Sequence, residues 1–325
     1  MFGQLIEKLR KDPKKIVFTE GTEPRILEAS SRLLAGDFLH PVLVGNPEKV
    51  TKAAEESGFN IRGASIIDPK NFDEFEDMVD MLCMIRKNKG MTEEQARETL
   101  SHANYFGTML VKMGKADALL GGATYSTADT VRPALQLIKT KPGNSIVSSC
   151  FILVRPAATG QNEVLAMGDC AINIKPDEDE LVEIAGETAN CAKIFGIDPR
   201  LVFLSYSTLG SGKGEDVDKM RNAAAKTKER YPNLPIEGEM QFDAAVSPRV
   251  ARTKCPESEV AGHANTFIFP DINAGNIGYK IAQRLGNFEA YGPILLGLNA
   301  PINDLSRGCN AEEVYSMAIV TAALA

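Results

Sequence analysis

The sequence predicts a protein of the α/β class, in which short strands alternate with amphipathic helices. Runs rich in β-branched residues, such as Lys15-Ile16-Val17-Phe18, recur along the chain and are separated by longer segments of helical periodicity. With 325 residues, of which 44% are hydrophobic and 24% charged, the chain is long enough for one large α/β domain or two of ordinary size.

The first part of the chain has this alternation from its start. Residues 1–15 mix apolar and charged side chains at helical spacing. Thr92 and Gln95 have the spacing of a capping box, which predicts that a helix begins there. The strands expected in this part cover 15–18, 40–45, 64–67 and 116–120, and the main helices cover 25–34, 73–87 and 130–139.

A break at Lys141-Pro142-Gly143 indicates that the chain crosses into a second lobe. A last helix over 310–323 is expected to return to the first lobe, which gives a first α/β lobe of 1–142 and 298–325 and a second of 143–297. Within the second lobe, strands are expected at 145–155, 164–170, 201–205, 235–238, 266–269 and 292–298, with helices at 178–195, 215–230 and 274–285.

Charge and composition exclude several classes of protein. The formal net charge of −7 argues against a partner with an anionic surface, whether nucleic acid or membrane. The N-terminus lacks the apolar core of a secretory signal, and no apolar stretch is long enough to span a membrane. Six scattered cysteines without a Cys-x-x-Cys pair indicate reduced thiols in the cytoplasm. Three histidines, none suitably spaced, predict no metal site.

The glycine-rich segment 208–214 is the most conspicuous candidate for a nucleotide site. It misses the spacing of the dinucleotide-binding fingerprint, since Glu215 stands where a glycine is required, and no Ser or Thr follows Gly212-Lys213 as a P-loop needs. Because it lies between a strand and a helix, it suits an anion at the helix N-terminus. A plain flexible turn is an equally good interpretation.

The segment Gly121–Thr127 is a second candidate. Two glycines after a strand allow close approach of a ligand, and Ser126 and Thr127 then offer hydroxyl groups, with Arg132 one to two turns further on. This combination suits a phosphate group. Ser and Thr are also common helix caps, so the pattern alone leaves both interpretations open.

The third candidate is the polar run from Gly297 to Cys309. Ser306 and Arg307 stand side by side before a helix that carries Glu312 and Glu313. A serine can donate to an oxyanion, an arginine can hold an anion, and a carboxylate can accept a proton. Alternatively the two glutamates only favour the positive end of the helix.

Several long stretches resemble the phosphate acetyltransferase family, and together they run nearly from end to end of the chain. They lie in the same order as in that family. The matching stretches are Arg86–Thr92, Tyr125–Ala134, Glu259–Gly262, Ile268–Asp271, Asn273–Lys280, Gly292–Leu295 and Pro301–Cys309.

The resemblance implies reversible transfer of an acetyl group between acetyl phosphate and coenzyme A, in a ternary complex. It implies a fold similar to isocitrate and isopropylmalate dehydrogenases, with two α/β lobes around a cleft, and a homodimer. Coenzyme A and acetyl phosphate are then substrates, and no cofactor or metal is required.

The resemblance also implies roles for particular residues. The family's catalytic serine and arginine fall on Ser306 and Arg307, and its catalytic aspartate falls on Glu313, a departure of one methylene. Glu312 is the alternative base if the helix start is shifted. The family arginines that hold anionic substrates fall on Arg86 and Arg132. Ser126 and Thr127, from the pattern of the second candidate segment, are assigned to the substrate site with them.

Three other functions are weighed against this one. A phosphate butyryltransferase performs the same chemistry with a roomier acyl pocket. An NAD(P)-dependent decarboxylating dehydrogenase of the related fold needs clustered metal-binding aspartates and a nucleotide loop, and the sequence has neither. A non-catalytic effector-binding module, such as malic enzymes carry, is disfavoured because Ser306, Arg307 and a carboxylate at 313 are retained.

Overall fold

The computed structural model describes residues 2–157, 160 and 162–325. The chain divides into two compact units, one containing the residues up to Pro142 together with Leu298–Ala325, the other Gly143–Gly297. The domain division predicted from the sequence, with 1–142 and 298–325 in one lobe and 143–297 in the other, stays a prediction. That each lobe folds as an independent domain stays a prediction.

The elements follow one another in the alternating order that the sequence predicts. Short 3-10 turns lie at Pro69–Asn71 and Lys87–Lys89, and a π-helical segment lies at Ala134–Ile138. In chain order the helices and strands are α1 (Phe2–Lys11), β1 (Lys14–Phe18), α2 (Pro24–Gly36), β2 (Leu39–Val44), α3 (Pro47–Ser57), β3 (Ser65–Ile67), α4 (Phe75–Ile85), α5 (Glu93–Leu100), α6 (Ala103–Lys112), β4 (Ala118–Gly121), α7 (Thr127–Pro133), β5 (Ser148–Pro156), β6 (Asn162–Gly168), α8 (Glu178–Ile194), β7 (Leu201–Leu204), α9 (Glu215–Arg230), β8 (Ile236–Met240), α10 (Phe242–Val246), α11 (Pro248–Lys254), β9 (Thr266–Ile268), α12 (Ile272–Leu285), β10 (Glu289–Leu296), β11 (Ile302–Asp304) and α13 (Ala311–Ala323).

The first unit is built on a five-stranded sheet in the order β11-β4-β1-β2-β3, and every pairing in it is parallel. Its central strand β1 is apolar and fully buried at Ile16, Val17 and Phe18, as expected for a strand covered on both faces. Helix α13 packs against α1 and α2. The last segment of the chain therefore completes the first unit at both a strand and a helix.

The second unit contains a mixed six-stranded sheet in the order β10-β5-β6-β9-β7-β8. Strand β5 pairs antiparallel with β10 and with β6, whereas β9 pairs parallel with β6 and β7. Helices α8 and α9 pack against one another, and α9 also packs against β7 and β8. The second unit is thus an α/β layer structure of its own, and the predicted fold class is confirmed.

Most predicted elements are present within a few residues of their expected bounds, and the capping box at Thr92 and Gln95 is formed. Two differences concern the site. The helix expected over 130–139 begins at Thr127 and ends in the π-helical segment, so its first turn follows Ser126 directly. The polar run before Ser306 contains the buried strand β11, which the sequence did not predict.

In the part of the chain that the structure describes, no helix combines the length and the apolar character needed to cross a membrane.

Candidate active site

Three neighbouring strands of the first unit end at one edge of its sheet. Strands β11, β4 and β1 are adjacent and parallel, so their carboxyl ends meet at the same edge. The order of the strands reverses between β1 and β4, and ligands of α/β sheets bind outside such a reversal point. The segments that follow these strand ends begin at Thr19, Gly122 and Leu305.

The loop after β4 lies directly against the segment after β11. The amide of Leu305 donates to the carbonyl oxygen of Gly121 at 2.7 Å. Gly122 has a φ of +98°, and a Cβ there would lie 3.0 Å from the carbonyl oxygen of Leu305 and closer still to the Asp304 carboxylate. Glycine is therefore required at 122 both for its backbone conformation and for this close approach.

Ser306 begins a tight turn that leaves its hydroxyl proton unused. The Cys309 amide donates to the Ser306 carbonyl oxygen at 2.9 Å, and the Gly308 amide donates to Ser306 Oγ at 3.2 Å. Among the described residues, no group accepts from the Ser306 hydroxyl, and the side chain is exposed. The turn thus holds Oγ in place while its O–H remains available to a ligand.

Arg25 of α2 clamps this turn to the loop after β4. Its Nη1 donates to the carbonyl oxygens of Arg307 and Cys309, both at 2.9 Å, and its Nη2 donates to that of Ala123 at 3.0 Å. Its Nε pairs with Glu23 at 2.6 Å, and this bond raises the pKa of the Arg25 guanidinium. One cation therefore fixes two segments that are distant in sequence.

The side chain of Arg307 is exposed at the tip of the turn. In residues 2–157, 160 and 162–325, no carboxylate forms an ion pair with its guanidinium. Because its backbone is fixed by Arg25 and its charge is uncompensated, Arg307 is placed to receive an anion.

Two carboxylates hold the loop after β4 from either side. Glu20 accepts from the amide of Thr124 at 2.7 Å and from its hydroxyl at 3.0 Å, and burial raises the pKa of Glu20. Asp304 accepts from the hydroxyl groups of Thr127 at 2.6 Å and Thr130 at 2.5 Å, and burial raises its pKa as well. The loop is therefore fixed at its start and at its end.

A cavity of about 630 Å³ lies in the first unit, and Arg132 is the only predicted site residue that lines it. Arg132 is 58% exposed and makes a loose ion pair of 3.6 Å with Asp129. Burial raises the pKa of Tyr105, another lining residue, and the nearby charges of Arg132 and Arg86 oppose this rise.

Arg86 has an unusual feature of its own. Its Nε is buried, yet it donates to no group among the residues that the structure describes. A buried donor without an acceptor is destabilising, so the position suits an arginine whose acceptor arrives with a ligand.

A family model described as phosphate acetyl/butaryl transferase matches residues 1–322. The chain belongs to this family. It is 52% identical over 325 residues to the phosphate acetyltransferase of Bacillus subtilis (strain 168), a match that covers 100% of this chain and 99% of that protein. A phosphotransacetylase from Streptococcus pyogenes has a similar structure, with a TM-score of 0.94 and 51% identity over 99% of this chain and 97% of that one.

The likeness extends to a dehydrogenase at the level of fold alone. A putative 4-hydroxythreonine-4-phosphate dehydrogenase from Salmonella typhimurium superposes with a TM-score of 0.55 at 13% identity, over 96% of this chain and 100% of that one. The dehydrogenase-like fold that the resemblance implied is consistent with this.

Glu313 and Glu312, the two candidates for the general base, each have a partner in the structure. Glu313 closes a capping box, since its Oε2 accepts from the Asn310 amide at 2.9 Å and the Glu313 amide donates to Asn310 Oδ1 at 2.9 Å. Glu312 pairs with Arg32 of α2 at 2.7 Å. Capping leaves the other carboxylate oxygen of Glu313 available, so the assignment of the base to 313 stays a prediction.

The hydroxyl groups of Ser126 and Thr127 are already used as donors. Ser126 Oγ donates to Asp129 at 2.7 Å, and Thr127 Oγ1 donates to Asp304. Each hydroxyl therefore offers a substrate of the family reaction only its lone pairs. Their place in the substrate site stays a prediction.

Most backbone amides of the glycine-rich segment 208–214, in the second unit, donate hydrogen bonds to other groups of the protein. The amides of Leu209 and Gly210 donate to Glu239, at 3.0 Å to its carbonyl oxygen and 2.7 Å to its carboxylate. The amide of Gly212 donates to Ser207 Oγ at 2.8 Å, and Ser207 Oγ donates to the Glu239 carboxylate at 2.8 Å. The geometry favours the plain-turn interpretation over an anion cradle.

The sequence reasoning missed three residues that organise the site, namely Arg25, Glu20 and Asp304. Arg25 and Glu20 lie in the turn that opens α2, and Asp304 lies within the stretch that matches the family. The signal available for Asp304 was an acidic residue two positions before Ser306. Only the fold shows that its carboxylate is buried against Gly122.

Proposed function

We propose that this protein transfers an acetyl group reversibly between acetyl phosphate and coenzyme A. The single observation that carries the proposal is the fixed turn in which Ser306 precedes the exposed Arg307, and in the described part of the chain neither side chain donates to another group. The relatives named phosphate acetyltransferase favour acetyl over the butyryl alternative.

The proposed reaction proceeds by direct attack. A carboxylate, assigned to Glu313, takes the proton from the coenzyme A thiol, whose unperturbed pKa of about 8.5 keeps it mostly protonated at neutral pH. The thiolate attacks the carbonyl carbon of acetyl phosphate and forms the C–S bond. Collapse of the tetrahedral intermediate breaks the C–O bond and releases inorganic phosphate.

Ser306 and Arg307 serve the charges that develop in these steps. The Ser306 hydroxyl donates to the oxyanion of the tetrahedral intermediate, and the Arg307 guanidinium neutralises the departing phosphate. Arg132 and Arg86 hold phosphate groups of acetyl phosphate or of coenzyme A, and the orphaned Nε of Arg86 supports its share of this role. Ser126 and Thr127 complete the same substrate site.

The substrates of the proposal are coenzyme A, acetyl phosphate and inorganic phosphate, and no step uses a metal or a bound cofactor. Formation of the thioester from acetyl phosphate and coenzyme A, followed with a chelator present, tests this directly. We expect acetyl transfer to proceed, and butyryl phosphate to react more slowly by tenfold or more, since each poorly fitting methylene is worth roughly 1–3 kcal/mol. Absence of thioester contradicts the proposal, and faster butyryl transfer supports the alternative.

We also propose that the protein is a homodimer. Helix α12 of the second unit exposes Ile277, Ile281 and Leu285, which recur every four residues on one face and are 57%, 54% and 80% exposed. An apolar stripe of this kind suits contact with a second copy. Light scattering should give twice the chain mass of 35.2 kDa, and Ile281→Glu should give the single mass. A wild-type monomer contradicts the proposal.

We propose a cytoplasmic location because the cysteines of the protein are unpaired. All six are free in the structure, and five of them are buried. Unpaired thiols persist in reducing compartments. Fractionation of source cells that places the protein outside the cytoplasm contradicts this.

A further inference from the structure

Asp304 is a buried acid next to the exposed turn of the candidate active site. It is the last residue of β11, it lies two positions before Ser306, and it is only 4% exposed. Its neighbour Asn303 points to the opposite face of the same strand, where Nδ2 donates to Thr321 of α13 at 2.9 Å. Strand β11 therefore presents one polar side chain to each of its faces.

The Asp304 carboxylate is held by hydroxyl groups and not by a cation. Thr127 donates to Oδ2 and Thr130 donates to Oδ1, and both threonines belong to α7, the helix that carries Arg132. In residues 2–157, 160 and 162–325, no lysine, arginine or histidine forms an ion pair with it. A buried carboxylate without a cation is destabilising, so Asp304 is better explained by what it positions than by stability that it adds.

The contacts of Asp304 join the two segments that carry the candidate site. Residue 304 pairs with Gly121 in the sheet, and Gly122 has no Cβ where the carboxylate passes. Through the two threonines, the carboxylate fixes the start of α7 relative to the end of β11. The Ser306 turn and the helix of Arg132 are thereby placed relative to each other within one unit.

We propose that Asp304 is a positioning residue, which sets the Ser306–Arg307 turn against the substrate-binding helix α7. The inference rests on the proposed function, because it assigns Asp304 an effect only through Ser306, Arg307 and Arg132. Asp304 itself makes no contact with the reacting atoms in this proposal.

The test measures kcat and KM for Asp304→Ala in the wild-type and Ser306→Ala backgrounds. Misplacement of a catalytic group by about 1 Å lowers turnover by roughly 10²-fold, so we expect a loss of that order in kcat with a smaller change in KM. In the Ser306→Ala background the same substitution should lower kcat by a smaller factor, because the part of its effect that acts through Ser306 is already lost.

Two further variants separate positioning from other roles. Asp304→Asn keeps both contacts if one threonine hydroxyl reverses its direction, so kcat should stay within about tenfold of wild type. Asn303→Ala removes a buried polar group from the same strand on the opposite face. It should lower the melting temperature, yet change kcat by the same small factor in both backgrounds.

Three outcomes overturn the inference. They are an Asp304→Ala loss of equal factor in both backgrounds, wild-type turnover in Asp304→Ala, and an Asp304→Asn loss as large as that of alanine, which would assign the effect to charge. If Asp304→Ala does not fold, Thr130→Val removes one of the two bonds and is judged by the same criterion. Wild-type turnover in Ser306→Ala itself refutes the role proposed for Ser306, whereas absence of thioester formation by the wild-type protein refutes the proposed function.

Discussion

The loop after β4 and the loop after β7 both connect a strand to a helix, but their buried carboxylates are held in opposite ways. The loop after β4 begins with Gly122, and the loop after β7 contains Gly210, Gly212 and Gly214. In the second unit, Glu239 lies under its loop, accepts from Ser207 and Gly210, and pairs with Arg221 at 3.0 Å. In the first unit, Asp304 accepts from two threonine hydroxyl groups, and no cation pairs with it among the residues that the structure describes.

The electrostatic consequence differs in sign. Burial alone would raise the pKa of Glu239, but the hydrogen bonds from Gly210, Ser207 and Arg221 lower it overall. Burial raises the pKa of Asp304, and the two hydroxyl groups offset this only in part. In the loop after β7 the buried carboxylate is paired with Arg221. At the edge after β4 and β11, by contrast, Arg307 has no ion pair and the Ser306 hydroxyl has no acceptor among the described residues. The presence of glycine alone does not predict this difference.

The comparison predicts its largest effect at a pair of exposed cations, Arg307 in the first unit and Lys213 in the second. Arg307→Ala should lower kcat by roughly 10³-fold, because it removes the positive charge that neutralises the departing phosphate. Lys213→Ala should change kcat by less than about threefold, because amides of its loop already donate to Glu239 and Ser207 and so are not available to bind an anion. Steady-state kinetics of both variants, with circular dichroism to verify folding, checks the prediction.

Arg62→Ala, an exposed arginine of the first unit, is the matched control for loss of one positive charge. Near-wild-type turnover in Arg307→Ala removes its proposed role. A loss at Lys213 comparable to that at Arg307 breaks the comparison itself, because it would make the loop after β7 part of the site.

The next largest effect identifies which carboxylate of the first unit is the general base. Glu313→Gln should lower kcat by about 10²-fold at neutral pH, at the lower end of general-base contributions because capping engages one oxygen. The loss should shrink as the pH approaches the thiol pKa of about 8.5, where solution supplies the thiolate. Profiles of kcat between pH 6 and about 9 measure this.

Glutamine retains the capping box, so Glu313→Gln should melt close to wild type. Glu313→Asp, the family residue, should keep substantial activity. Glu312→Gln is the paired control, since it loses the exposed ion pair with Arg32, worth about 0–1 kcal/mol of stability. A larger kinetic loss at 312 than at 313 moves the base to Glu312.

These carboxylates also show where prediction from the sequence ends. Strands such as β1 and helices such as α9 were predictable because periodicity and β-branched residues report local structure. Strand β11 has only three residues, and two of them are the buried polar Asn303 and Asp304. Its hydropathy resembles that of a loop, and only the parallel pairing with the distant strand β4 makes it a strand.

The same limit applies to the candidate site. Ser306, Arg307 and Arg132 are predictable from the sequence because their residue types and the resemblance name them. The clamp by Arg25 joins residues separated by 98 and 282 positions, so no local pattern carries it. Whether an acidic residue holds a loop, caps a helix or positions another group depends on its burial and its partners, and both are non-local properties.

The smallest expected effect is a difference in the pH dependence of stability between Asp304→Asn and Glu239→Gln. The pKa of Asp304 is raised from 3.8 on folding, so the native state binds its proton more tightly than the unfolded state. Stability from this group falls as the pH rises through that window. The free energy of unfolding of Asp304→Asn should therefore increase relative to that of wild type as the pH rises from about 4 to neutral.

Glu239 has the opposite sign. Its pKa is lowered from 4.5 on folding, so its contribution is present above that value and is lost as the pH falls through the folded pKa. Glu239→Gln should be less stable than wild type by roughly 1–3 kcal/mol at neutral pH, because it loses charged hydrogen bonds, and the deficit should shrink in acid. Urea unfolding at several pH values measures both differences, and titration of Glu20 largely cancels because wild type and variants share it. Parallel pH trends in the two variants would mean that the two carboxylates are held alike, which contradicts the contrast between the loops.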